Sequence, residues 1–166
     1  PMILMREELD NMGENFETLH ELMAEQTAVW EKTPNIVPVS MEEPTISSPF
    51  GWRNNPFTDK REFHAGVDII GPEGAPVIAP AQGVVVNQGR DRWLGKYVVL
   101  QHTDELKTIY GHLSEVLVVK GRRVQRGERI GLIGNTGLST SSHLHYSVVE
   151  KDRVVDPMQY MLDLKG

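Results

Sequence analysis

Two histidines two residues apart, His143 and His145, sit in Ser142-His143-Leu144-His145-Tyr146, at the head of a run to Val149 that reads as a β-strand. Alternate side chains of a strand share a face, so His143 and His145 point one way and Leu144 and Tyr146 the other. Two imidazoles on one face are half of a metal site, or an acid/base pair. A second constellation is His64-Ala65-Gly66-Val67-Asp68, a histidine and a carboxylate four apart. Asp68 lies among apolar residues, where a buried carboxylate is costly unless it is paired or ligates a cation. His64, Asp68 and one of the His143/His145 pair would give three ligands with a fourth position open, the arrangement of catalytic rather than structural zinc. His112 follows Tyr110-Gly111 at the end of an apolar run; it reads equally as a cleft residue or a structural one. His102, before Thr103-Asp104, reads as a turn histidine, and His20 as a solvated one.

The rest of the sequence narrows the chemistry. There is no cysteine, so neither a disulfide framework nor a cysteine-ligated zinc is available. There is no His-Glu-x-x-His, no Gly-rich phosphate loop and no serine in a nucleophile-elbow setting. The net charge of −6 sits in residues 1–33, and residues 34–166 are neutral, with 15 acids and 15 bases. An electrically balanced body does not resemble a nucleic-acid binder.

Three segments must position these residues. Residues 1–32 are expected to be a helix of coiled-coil type. Met2, Met5, Leu9, Met12, Phe16, Leu19, Met23, Gln26 and Trp30 follow 3–4 spacing, and all but Gln26 are apolar. Such a helix needs a partner: another copy, an upstream helix or a groove on the body. Residues 33–45 are expected to be a linker, with Pro34, Pro38 and Pro44 breaking helix and strand. Residues 46–166 read as a mainly antiparallel β domain. Valine- and isoleucine-rich runs at 76–80, 83–88, 97–102, 107–112, 116–119, 128–133 and 145–150 are bounded by glycines, and a short helix is expected near 157–162. The chain opens on Pro1-Met2-Ile3 in mid-pattern and is expected to be a piece of a longer protein, in which case an upstream membrane or targeting segment would not be visible in this sequence.

His64-x-x-x-Asp68, Tyr110-Gly111-His112-Leu113, and Gly134-Asn135-Thr136-Gly137 leading into His143-Leu144-His145-Tyr146 together resemble the lysostaphin-type (LytM-domain) zinc endopeptidases of bacterial cell walls. Ser48-Pro49-Phe50-Gly51-Trp52-Arg53, Ala75-Pro76-Val77 and Val124-x-x-Gly127-x-x-Ile130-Gly131 fit the same order, so the resemblance covers about residues 46–158. It implies that His64, Asp68 and His145 are zinc ligands. It also implies that His112 and His143 are catalytic histidines, dividing between them assistance to water and stabilisation of the oxyanion. The implied setting is the bacterial envelope, periplasmic or membrane-anchored, and the implied substrate is a peptidoglycan cross-link peptide. Two departures stand out: Ser141-Ser142 where the family usually has a Gly-Pro-like pair, and Ser147 where it commonly has a glutamate.

Two other functions fit the sequence less well. A non-catalytic LytM-type module that activates a separate amidase typically lacks zinc ligands, and this chain has all three. A biotinyl- or lipoyl-type carrier would suit Ala79-Pro80-Ala81-Gln82-Gly83-Val84, but the histidines would then be unexplained and no lysine stands in the hairpin setting such carriers modify.

Overall fold

The computed structural model describes residues 2–55 and 60–162, except for the side chains of residues 2–11, 13 and 14. The chain divides into two compact units, residues 1–31 and 32–166.

The first unit is helix α1, Met2–Lys32. It is rich in glutamate, leucine, methionine and alanine, all good helix formers. It ends where Pro34 forbids continuation and disfavours helical backbone at Thr33. The expected seam positions Met2, Met5 and Leu9 have side chains outside the described residues. Farther along, Met12, Phe16, Leu19, Met23 and Trp30 are each more than half exposed.

The second unit is antiparallel β, as expected. The strands are β1 (Thr45–Ser48), β2 (Gly51–Asn54), β3 (Arg61–His64), β4 (Val67–Ile70), β5 (Pro76–Ile78), β6 (Gly83–Asp91) and β7 (Gly95–Gln101). They continue with β8 (Leu106–Leu113), β9 (Glu115–Val116), β10 (Arg123–Val124), β11 (Arg129–Leu132), β12 (His143–Glu150) and β13 (Arg153–Val155). One sheet runs β1-β4-β12-β8-β7-β6-β10, with β13 beside β12; a smaller sheet runs β5-β11-β9, and β2 and β3 form a separate hairpin. At 157–162, where a short helix was expected, there is a single 3-10 turn, Pro157–Gln159, capped by the Asp156 carboxylate accepting from Met158 N–H.

The strands alternate as half-covered strands should. Val67 and Ile69 of β4, Leu144, Tyr146 and Val148 of β12, and Val98 and Leu100 of β7 enter one core with Val77 and Ile130 of the small sheet. The opposite faces of β4 and β12 carry Asp68, His143 and His145. The proline-rich segment 33–45, expected as a linker, is laid onto the body instead. Val37 and Val39 are buried in the core. Ile78 N–H donates to Pro38 O and Ser40 N–H to Pro76 O. Prolines are compatible with this because only intervening residues need to donate, as on an edge strand.

Candidate active site

Three neighbouring strands bring the site together. In the β4–β12 ladder His145 stands directly opposite Asp68, and in the β12–β8 ladder it stands opposite Gly111. Cross-strand partners share a face, so Asp68 and His145 meet by register alone. His64 ends β3 and returns to the cluster through the turn at Ala65-Gly66. A side chain at Gly66 would collide with Tyr146 O and approach Ser147 Oγ to 2.6 Å, so only glycine lets this turn lie against β12.

His112 arrives by a different device. Alternation from Tyr110 would send it into the core. Across the β7–β8 ladder, however, Lys96 faces Leu113 while Val98 faces Tyr110, so β8 carries one extra residue. This bulge contains His112 in left-handed backbone, φ +60°, held by its N–H donating to Leu94 O at 2.6 Å. Leu113 takes the core position and His112 turns to the site, its ring 4.7 Å from that of His143 and 5.9 Å from that of His145. Sequence reading by period two could not have found this.

Each of the four histidines is fixed by one ring nitrogen. His64 Nδ1 donates to Pro49 O at 2.9 Å, His112 Nδ1 to Thr136 O at 2.8 Å and His143 Nδ1 to Ser141 O at 2.8 Å. In His145 the bound nitrogen is Nε2, which lies 3.0 Å from Ser147 Oγ. Nε2 of His64 and Nδ1 of His145 are therefore left facing Asp68 Oδ1, at 3.1 and 2.9 Å, and stand 3.1 Å from each other. Two lone-pair nitrogens and a carboxylate oxygen converge on one point, which is favourable only around positive charge. The separations also suit a tetrahedral ion, whose ligands at about 2.0–2.1 Å lie about 3.3 Å apart. His64, Asp68 and His145 could thus hold a metal ion. His143 Nε2 is farther out, 3.6 Å from Asp68 Oδ1.

The electrostatics favour ligand-ready forms. Burial pushes the Asp68 carboxyl up, but where His145 or His64 carries a proton on the nitrogen facing it, the resulting hydrogen bond and charge outweigh burial and hold the group well below the usual carboxylate range. Burial lowers the His145 pKa against the opposing pull of Asp68. Burial also lowers His112, to about 4, despite its hydrogen bond to Thr136 O, so this ring is neutral at pH 7.

The site floors a cleft of about 300 Å³. Arg53, Glu62 and Phe63 of the β2–β3 hairpin line it, as do Trp93 and Leu94 of the β6–β7 turn and Leu138 and Thr140 before β12. The other two histidines are elsewhere. His102 is buried away from this cleft, bonded to Gln82 O and Thr108 Oγ1, and His20 is exposed on α1.

Residues 62–157 match peptidase family M23. The chain belongs to that family. M23 membership accords with the order of motifs and with the antiparallel fold. Over 115 residues the chain is 45% identical to peptidoglycan DD-endopeptidase ShyA of Vibrio cholerae, a match covering 69% of this chain and 27% of that protein. A zinc-containing peptidase from Vibrio cholerae superposes with TM-score 0.72 at 39% identity, over 77% of this chain and 40% of the other. The catalytic domain of lysostaphin from Staphylococcus simulans superposes with TM-score 0.64 at 30% identity, over 74% of this chain and 92% of the other. The chain spans about a quarter of the length of the curated relatives it matches.

Proposed function

We propose that this M23 chain is a zinc-dependent endopeptidase that hydrolyses peptide cross-links of bacterial peptidoglycan, acting in the cell envelope on the periplasmic or wall-facing side. The observation that carries the reading is the convergence of His64 Nε2, Asp68 Oδ1 and His145 Nδ1 within 3.1 Å of one another at the floor of an open cleft. These residues would hold zinc, which supplies Lewis-acid polarisation of a scissile carbonyl and a lowered pKa for water. Their histidine and carboxylate donors suit that ion.

His112 and His143 share the proton work. In each ring Nδ1–H is committed to a backbone carbonyl, which leaves Nε2 as the atom that takes up or gives a proton. Burial keeps His112 neutral, so its Nε2 starts as the proton acceptor, and His143 donates to the developing oxyanion only once its own Nε2 carries a proton. Phe63, Trp93, Leu94 and Leu138 line the approach to the histidines.

Relatives named DD-endopeptidases favour a D-Ala–diaminopimelate cross-link over a glycine bridge. The apolar stripe of α1 would pair with a second copy, another helix or a groove on the body. Among the described residues no helix is long and apolar enough to cross a membrane. An amidase-activating role finds no support in a complete ligand trio. Digestion of purified sacculi, with products identified by mass spectrometry, tests the reading. Monomeric muropeptides released from cross-linked ones are expected, whereas sacculi bound but left fully cross-linked would contradict it.

A further inference from the structure

Arg53 stands where the cleft wall meets the histidine–aspartate cluster. It projects from β2 opposite Glu62 of β3, and its Nε donates to Glu62 Oε1 at 3.3 Å. Its Nη1 donates to Ser48 Oγ at 2.5 Å and to Asp68 Oδ2 at 3.0 Å. Ser48 is itself the β1 residue opposite Asp68. One guanidinium thus ties the β2–β3 hairpin, β1 and β4 together at a single carboxylate oxygen.

That oxygen is the one the histidines do not use. His64 and His145 both address Oδ1. The Asp68 side chain is only 9% exposed, so water cannot do much for Oδ2 if Arg53 is removed. An unrestrained carboxylate can turn to present both oxygens to one cation, and doing so takes up space in the coordination shell. The planar guanidinium, itself held at Nε by Glu62 and at Nη1 by Ser48, forbids that turn. A lysine ammonium is a point charge on a flexible stem and cannot hold the same orientation.

We propose that Arg53 is a positioning residue for the metal cluster: by occupying Asp68 Oδ2 it restricts Asp68 to ligation through Oδ1 and keeps the remaining position open for substrate. The proposal rests on the reading of His64, Asp68 and His145 as a metal site. It goes beyond that reading in assigning a role to a residue outside the trio.

The test uses wild-type protein, Arg53→Gln and Arg53→Lys, with zinc affinity measured by competition against a chelating indicator. The visible spectrum of the cobalt(II)-substituted proteins gives a second readout that does not depend on activity. Arg53→Gln is expected to lose roughly 10–100-fold in zinc affinity. Its cobalt bands are expected to weaken, as they do when a four-coordinate ion gains a ligand atom. Arg53→Lys, which retains the charge, should recover part of the affinity but not the wild-type spectrum. If both variants bind zinc within about twofold of wild type and keep its cobalt spectrum, Arg53 does not position the ligand. If wild-type protein itself takes up no zinc or cobalt, the metal-site reading falls, and this proposal with it; that result is independent of residue 53.

Discussion

Asp68 and His145 face each other directly across the β4–β12 ladder, and Asp68 Oδ1 lies 2.9 Å from His145 Nδ1. The pairing is a property of strand register. A slip of one residue in β12 would put Leu144 or Tyr146 opposite Asp68 and turn both histidines into the core. The core side chains Leu144, Tyr146 and Val148 therefore fix the chemistry as firmly as they fix the sheet.

Ser147 holds the other side of His145. With Nδ1 turned to Asp68, the ring places its Nε2–H at 3.0 Å from Ser147 Oγ. Ser147→Ala should leave the fold intact and lower metal affinity by about tenfold, the usual cost of losing a partner behind a ligating histidine. Chelator competition measures this, and an unchanged affinity would show that Asp68 alone orients the ring.

The bulge at His112 makes a conformational prediction. Asparagine tolerates left-handed backbone and valine does not. Both His112→Asn and His112→Val should abolish turnover, since neither replaces the imidazole. In urea unfolding the valine variant should be about 1–2 kcal/mol less stable than the asparagine variant, because the φ of +60° must be paid for by a β-branched residue. Equal stabilities would mean that the bulge can relax.

His102 makes a prediction about pH. Burial lowers its pKa below the ordinary 6.5, against the raising effect of its bond to Gln82 O. Just below that ordinary value the unfolded chain carries the proton and the folded chain does not. The unfolded state then binds more protons, so stability is lost as pH falls through this window. Urea midpoints between about pH 7.5 and 5.5 should decline less steeply in His102→Gln than in wild type, while the site histidines contribute alike to both. Parallel declines would place the pH sensitivity elsewhere.

Much of this site was legible in the sequence, for local reasons. Period-two alternation put His143 and His145 on one face, and the apolar neighbours of Asp68 marked its carboxylate as needing a partner. The rest depended on pairings distant in sequence. The hairpin carrying Arg53 and Phe63 and the short strand β1 gave no clear run of apolar residues. Arg53 reaches Asp68 only because β1 and the hairpin converge there. His145 uses Nδ1 because Ser147, on the same strand face, takes Nε2; residue types alone do not report that choice. Segment 33–45 has the composition of a linker, yet Val37 and Val39 find room in the core. The bulge that re-aims His112 cannot be seen in the alternation of β8 itself.

The central claim is a division of labour between two histidines on one strand face, His145 holding metal and His143 moving a proton. Metal content by elemental analysis, alongside turnover of cross-linked muropeptide, in His145→Ala and His143→Ala tests it most directly. His145→Ala should lose zinc and activity together, while His143→Ala should keep one zinc per chain and lose only turnover. Loss of zinc in both variants, or its retention in both, would contradict the account.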